Sequence, residues 1–488
     1  MKKIQKNFLR NFDNGKVILV FETLPRYPDS PYDSVELQEI FKYIYNFFKI
    51  KNWIKDKSKI VIKPNFVRDY NVNRKAGIEP LVTHPSIIYA CIDSLPLFYN
   101  KGNIIIGDAP LQNCNFSNLI KILKLKEITD IFRKKGKGIK IEDWRLTIFN
   151  RGNKILRSNP QQRRKLSRKE FNRLFELVDL KNESFLSDIE DFSDRFRVTV
   201  YNPELMKKHH KNGKHEYLIS KQILTSDVII NLPKMKTHIK AGITGALKNL
   251  IGINGHKEYL PHHIKGDYLT GGDNYIFPCF FKQLFEEFDE YVWKNIEKHS
   301  WIFNKLNFKI LSILWHLWKF LCYDPIIAGS WSGNDTIWRT ILDLNHILYF
   351  YNLKKKRLES EYQRKVITIV DGIIGGEGEG PLAPSIKKAG IVIAGLNPAY
   401  VDAVMATLMG FNISRIPTIY QALFNIRSKF KVYLSKSGYF KIKIINLKTS
   451  KIVDLNFNEL MDYVLDKYRN LFFKPPKWWQ RIKRGDVE

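Results

Sequence analysis

One local pattern recurs three times along the chain: a short apolar strand, a loop of Pro, Lys, His, Asn or Gly, and a helix opened by a cap or a proline. The first copy runs Lys59-Ile-Val-Ile-Lys63, Pro64-Asn65-Phe66, Thr83-His84-Pro85 and a helix from Ser86 to Phe98, followed by a strand from Asn103 to Gly107 that ends at Asp108. A strand, a crossover helix and a second strand in this order form a right-handed parallel unit. The loops after Lys63 and Gly107 therefore open at one sheet edge, where open α/β sheets hold ligands. The second copy is Asp227 to Pro233, the loop Lys234-Met-Lys-Thr-His238 and a predicted helix from about Ala241 to Ile251. The third is Val366 to Val370, a glycine-rich loop from Asp371-Gly372 to Pro381, a strand from Gly390 to Ala394, and a helix from Asn397-Pro398 to Gly410. Asn before Pro at the first helical position, with Gly past the end, marks both termini of that helix. The pattern predicts an α/β fold: a mostly parallel sheet, or sheets, of strand-loop-helix units with large helical insertions.

The stretches between these copies differ in character. The chain divides into an N-terminal α/β block (1–130), a basic insertion (131–220), an α/β block with the Lys/His loop (221–274), an aromatic-rich helical insertion (275–365), a C-terminal α/β block (366–430), and a short β element with a basic, aromatic tail (431–488). The insertion at 131–220 reads as an elaboration on the sheet. Lys and Arg number 80 against 49 Asp and Glu, a net charge of +31 that would attract phosphates, nucleic acid or an anionic membrane. The abundance of Ile and Asn makes that surplus ambiguous, because AT-rich coding favours the same residues. Four cysteines with no CxxC pair argue against a cysteine-ligated metal and against a disulfide scaffold, and favour a reducing, cytoplasmic setting. The basic Met1-Lys2-Lys3 start is followed by no apolar run long enough for an export signal.

The loop from Lys234 to His238 is the most informative place. Lys234, Lys236, Thr237 and His238 lie between a strand end and an expected helix start, a combination suited to a phosphate or carboxylate. On the predicted helix, Gly242, Gly245, Lys248 and Gly252 form a stripe bare of side chains except the lysine, which would let a ligand or another backbone approach. Asp108 and Asp371 stand at strand ends as acid/base groups or metal ligands, and Glu377 sits on the glycine-rich loop, where Glu377 and Glu379 would repel phosphate but suit a cation or hydroxyls. His84 stands at a helix start, where the dipole favours the neutral imidazole. His256, His262 and His263 cluster without a metal-binding spacing, and Asn334 and Asn397 read first as helix caps.

Taken together, Lys63-Pro-Asn65, Thr83-His84-Pro85, Gly107-Asp108, Leu232-Pro-Lys-Met-Lys-Thr-His238, Ala246-Leu-Lys-Asn249, Asp371-Gly-Ile-Ile-Gly and Asn397-Pro-Ala-Tyr-Val-Asp402 resemble the family of domain of unknown function 362, in that family's order. Gly333-Asn-Asp-Thr-Ile-Trp-Arg339 is similar to a feature of its long, insert-bearing branch. The resemblance adds Lys63, Asn65, Asn249 and Asn397 to a substrate-binding set with Lys234, Lys236, Thr237 and Lys248, beside the catalytic candidates His84, Asp108, His238, Asp371 and Glu377. Some members carry a ferredoxin-like module, which the cysteines here do not match. A fainter similarity to the lactate racemase family would make Lys248 the lysine of a nickel-pincer nucleotide and His84 or His238 a proton-transfer base. The expectation is a cytoplasmic enzyme acting on a small anionic or carbohydrate-like substrate at strand-end loops; the sequence names neither cofactor nor metal.

Two other partners compete with that reading. The segment from Arg133 to Arg173 and the Trp478-Trp479 tail offer cations and stacking faces to nucleic acid, but no nucleic-acid-binding motif accompanies them, and this is the weaker alternative. From Trp301 to Tyr323 the lysines exclude a lipid-spanning helix. Lys305, Lys309, Ser312, His316 and Lys319 instead form a polar stripe among Phe, Leu and Trp, as on a helix lying at an anionic membrane surface or on a core helix with outward lysines. The tail from Lys474 to Arg484 would be a second membrane contact.

Overall fold

The computed structural model describes residues 16–23, 32–55, 57–95, 103–149, 161–163, 166–296, 298–322, 326–431 and 440–482. The readings at Met1 to Lys3, at the end of the first helix near Phe98, within the basic stretch 133–173 at 150–160 and 164–165, at 432–439 and beyond 482 lie outside these residues.

Among the described residues eleven strands build one sheet: β1 (Val17–Glu22), β2 (Ile60–Pro64), β3 (Asn103–Asp108), β4 (Gly138–Asp143), β5 (Val228–Leu232), β6 (Lys234–His238), β7 (Gly242–Thr244), β8 (Lys365–Glu379), β9 (Ala383–Gly395), β10 (Lys441–Asn446) and β11 (Lys451–Asn456). Their order is β11-β10-β1-β9-β8-β5-β2-β3-β4, with β6 on β8 and β7 on β6. The central run β8-β5-β2-β3-β4 is parallel throughout. The fold is α/β, as the strand-loop-helix units predict. Parallel pairing aligns the strand ends, with Leu232 beside Pro64 and Lys234 beside Asp371.

Period-two alternation places Ile18 and Val20 in one apolar layer and Leu19 and Phe21 in the other, so both sheet faces are covered. Helices α1 (Ser34–Phe47) and α2 (Pro85–Asp93) pack on one face. The short α3 (Ala246–Asn249), with α6 (Ile337–Phe350) and α7 (Pro398–Leu408), covers the other. Between α3 and α6 in sequence stand α4 (Phe280–Asn295) and α5 (Trp301–Leu321), the helices expected in the aromatic-rich insertion. Among the described residues no helix is long and apolar enough to cross a membrane.

The insertion at 131–220 elaborates the sheet, adding β4 at its edge beside a small sheet of its own. Several other expectations are corrected. Lys234–His238 is strand rather than loop, and the helix expected over 241–251 shrinks to α3 followed by a 3-10 turn at Leu250–Ile253. Glycine is a poor helix former, and β8 runs on past Asp371 with an edge that β6 takes up. The glycine-rich stretch after Asp371 is likewise strand, forming a long hairpin with β9. At Gly376 a Cβ would fall 2.6 Å from the Pro80 carbonyl oxygen and 3.0 Å from the Lys236 Cβ, so glycine there lets neighbouring segments close over the strand. Finally, Cys279 and Cys322 are joined as a disulfide with Cα atoms 6.1 Å apart, against the expectation from spacing; the α4–α5 hairpin brings together two residues 43 apart in sequence.

Candidate functional site

At the end of β2 and β3, the Lys63 amine pairs with Asp108 Oδ1 at 2.8 Å, and the Phe66 amide donates to Asp108 Oδ2 at 2.8 Å. Both side chains are buried. Burial pulls Lys63 below its usual range and Asp108 opposes that shift. The turn after α3 lies directly on this pair: a Cβ on Gly252 would stand 1.9 Å from Asp108 Oδ1 and 2.7 Å from Lys63 Nζ. Gly252 thus permits a close backbone approach, as the sequence suggests, though not as part of a helical stripe.

A second buried pair sits where β6 meets β8. The Lys234 amine donates to Asp371 Oδ2 at 2.8 Å and to the Tyr32 hydroxyl at 3.0 Å, and that hydroxyl donates to Asp371 Oδ1 at 3.0 Å. The His84 amide also donates to Asp371, at 2.9 Å. The His84 ring stacks on Tyr32 with centroids 3.7 Å apart, and its Nδ1 accepts from the Ser86 amide at 3.2 Å, capping α2. Burial lowers His84 to about 4, with Asp371 opposing and Lys234 adding to the shift, so the imidazole is neutral. Asp371 and Lys234 satisfy each other inside the protein.

Between the two pairs lies Lys236. Its amine donates to Asn65 Oδ1 at 2.7 Å and to the Leu81 carbonyl. Asn65 Nδ2 donates to Asn249 Oδ1 at 2.9 Å, and Asn249 Nδ2 donates to Asn231 Oδ1 at 2.7 Å and to the Lys63 carbonyl at 3.2 Å. This amide relay fixes Asn65 with its oxygen toward the lysine. Burial, with repulsion from Lys234 and Lys248, holds Lys236 well below the ordinary lysine range.

The remaining cations gather around Lys248 on α3. Burial, then Lys257 and Lys240, pulls Lys248 down from 10.5 to about 7. Burial lowers Lys240 to about 8 with Asp273 opposing, and Lys257 to about 8 with Asp108 opposing. His238 Nδ1 accepts from the Lys240 and Ala241 amides at 3.0 and 3.2 Å, which leaves the ring proton on Nε2. Burial, then Lys248, Lys240, Lys236 and His262, keeps His238 neutral. Six lysines (63, 234, 236, 240, 248 and 257) thus share this region, while among the described residues the carboxylates paired with them are Asp108 and Asp371 alone. Among the described residues the other four amines make no contact ion pair, with Asp273 and Asp108 acting on Lys240 and Lys257 only from farther away. Asp402 holds α3 in place, accepting from the Ala246 amide at 2.6 Å and the Leu247 amide at 3.0 Å, and its own burial raises it to about 7.

Other candidates have structural partners. Thr237 donates to the Gly378 carbonyl at 2.8 Å. Asn397 caps α7 by accepting from the Ala399 and Tyr400 amides, and Asn334, two residues before the N-cap Thr336 of α6, accepts from the Thr336 and Ile337 amides. Glu377 and Glu379 accept from the Lys474 and Lys477 amides, each at 2.9 Å, and so anchor the tail. Trp479 is buried, its indole donating to the Ile239 carbonyl at 2.7 Å, which withdraws it from the stacking or membrane contact suggested for the tail. Among the described residues no group of His, Cys, Asp and Glu could hold a metal ion. Lys240, Lys257, Tyr32 and Asp402 are site members that the loop and strand-end arguments do not reach, although Asp402 closes one of the matched motifs.

A mostly parallel sheet covered by helices on both faces defines the class as α/β, with the lysine cluster at its strand ends. A family model described as domain of unknown function 362 matches residues 185–407, which supports the family read from the motifs. The match includes Lys234 to His238, Lys248, Asp371 and Asn397; Lys63, Asn65, His84 and Asp108 precede it. The resemblance to the lactate racemase family is not shown. No curated protein matches. A crystal structure of a protein from Thermotoga maritima is similar at 9% identity with a TM-score of 0.31, covering 73% of this chain and 55% of that one. The chain spans about half the length of that protein, and a likeness of this degree carries no argument.

Proposed function

We propose that the protein is an enzyme whose small anionic substrate, a phosphate or carboxylate compound, binds among Lys236, Lys240, Lys248 and Lys257, with Lys248 and His238 as the groups that take or give a proton. The observation that carries this reading is the set of four neighbouring amines without a carboxylate partner. Clustered cations repel one another and resist desolvation, and a multivalent anion relieves both costs. An amine near 7 is matched to proton transfer at neutral pH, because it exchanges its proton at small cost in either direction. Lys63–Asp108 and Lys234–Asp371 hold the strand ends that frame the cluster. Clustered cations recognise charge before hydroxyls, so the anionic group of the substrate is what the lysines would bind.

Thermal melts with phosphate, pyrophosphate, malonate and sulfate, against chloride at matched ionic strength, test the proposal. A polyvalent anion at a hundred times its Kd adds about 2.7 kcal/mol. The expected result is a rise in melting temperature at pH 6.5 that shrinks at pH 9, where the lysines lose their protons. Equal melts in every anion would overturn the reading.

A further inference from the structure

We propose that α5 docks the protein on an anionic membrane surface, lying in the plane of the interface without crossing it. This inference does not depend on the proposed catalytic reading. The face of α5 turned to the protein carries Asn304, Asn307, Phe308, Leu311 and Trp318, and the Asn304 amide donates to the Ile296 carbonyl at 2.8 Å. The outward face carries the larger apolar row: Ile302 is 72% exposed, Ile313 59% and Phe320 89%, with Leu306 and Leu317 between them. An ordinary amphipathic helix of a globular protein puts its Asn outside and its Ile and Leu inside. Here two asparagines face in and a continuous apolar row faces water, an arrangement that marks an interaction surface.

Charge selects the occupant. Lys305, Lys309, His316 and Lys319 run alongside the apolar row, and α5 contains no Asp or Glu. The Lys305 and Lys319 amines stand 5.2 and 5.1 Å from the rings of Trp301 and Trp315. A second copy of the chain packed face to face would set lysine against lysine, whereas acidic headgroups over an acyl layer satisfy both rows at once. The patch continues across the hairpin: the Cys279–Cys322 bond ties the start of α4 to the end of α5, which brings exposed Phe277 and Phe280 to the end that carries Phe320. The polar stripe read in the sequence runs beside an apolar row that core packing would have hidden.

Co-sedimentation of the full chain with phosphatidylcholine vesicles, with and without phosphatidylglycerol, tests the assignment. The wild type should partition onto the phosphatidylglycerol vesicles with a strong preference that salt weakens. Lys305→Gln/Lys309→Gln/Lys319→Gln should lower that partitioning about a hundred-fold. Ile302→Ser/Ile313→Ser/Phe320→Ser should abolish it while leaving the melting temperature unchanged, since these side chains already face water. Should a variant fail to fold, the lipid preference and salt dependence of the wild type still decide the question. Negligible or equal binding to both vesicles would overturn the proposal, as would a dimer in light scattering that the serine variant dissolves.

Discussion

Methionine at position 248 keeps the length of the lysine side chain and removes its charge, and so separates the cost of burying an amine from the packing of its stem. In the unfolded chain Lys248 titrates near 10.5; in the fold, burial and its neighbours Lys257 and Lys240 bring it to about 7. Below about pH 7 both states carry the proton, and the fold bears the whole cost of the buried charge. Between about 7 and 10.5 the unfolded chain binds more protons than the folded one, so wild-type stability climbs with pH; above 10.5 the cost has gone. The separation corresponds to roughly 5 kcal/mol, which partial exposure of the side chain reduces to about 2–4 kcal/mol. Lys248→Met should therefore be more stable than the wild type by about that amount at pH 6 and indistinguishable from it near pH 10.5, measured by urea denaturation of the ligand-free protein. Pyrophosphate, which should stabilise the wild type at pH 6, should have little effect on the variant. A variant that is less stable at pH 6 yet keeps the full pyrophosphate response would refute the argument and assign Lys248 to structure.

Gly252→Ala, with its Cβ 1.9 Å from Asp108 Oδ1, should lower stability by about 1–3 kcal/mol in the same denaturation assay; an unchanged midpoint would show that the turn can move away from the Lys63–Asp108 pair. Breaking the second pair with Lys234→Met or Asp371→Asn alone should cost about 3–5 kcal/mol, whereas Lys234→Met/Asp371→Leu should recover much of it, and a double-mutant cycle reads the difference. Asp402 titrates at about 7 in the fold, above the usual 3.8, so its contribution to stability falls as pH rises through that interval. Asp402→Asn should flatten the stability profile between about pH 4 and 7, and a profile parallel to the wild type would show that the carboxyl titrates elsewhere.

The parts of the site legible in the sequence are those fixed by local chemistry. Asn397 before Pro398 caps its helix, His84 before Pro85 does the same, and Lys63 and Asp108 end neighbouring strands of a strand-helix-strand unit. What escapes local reading depends on partners far away in the chain. β6 exists because β8 offers it an edge 137 residues later, and no property of Lys234 to His238 alone announces a strand. The run of glycines after Asp371 reads as a flexible loop until Pro80 and Lys236 are seen to occupy the space that side chains would need. Lys240 and Lys257 are two of 80 basic residues and gain meaning only from burial beside Lys248. Glu377 shows the reverse, a carboxylate in a suggestive setting that the tail's backbone engages.

Isothermal titration calorimetry with pyrophosphate at pH 6.5, repeated at pH 9 and with Lys236→Met, tests the anion-binding account most directly. The account predicts saturable one-site binding at pH 6.5, weaker at pH 9 as Lys240, Lys248 and Lys257 deprotonate near 7 to 8, and weaker again in the variant. Heats no larger than dilution, or an affinity that ignores both the pH and the loss of Lys236, would contradict it.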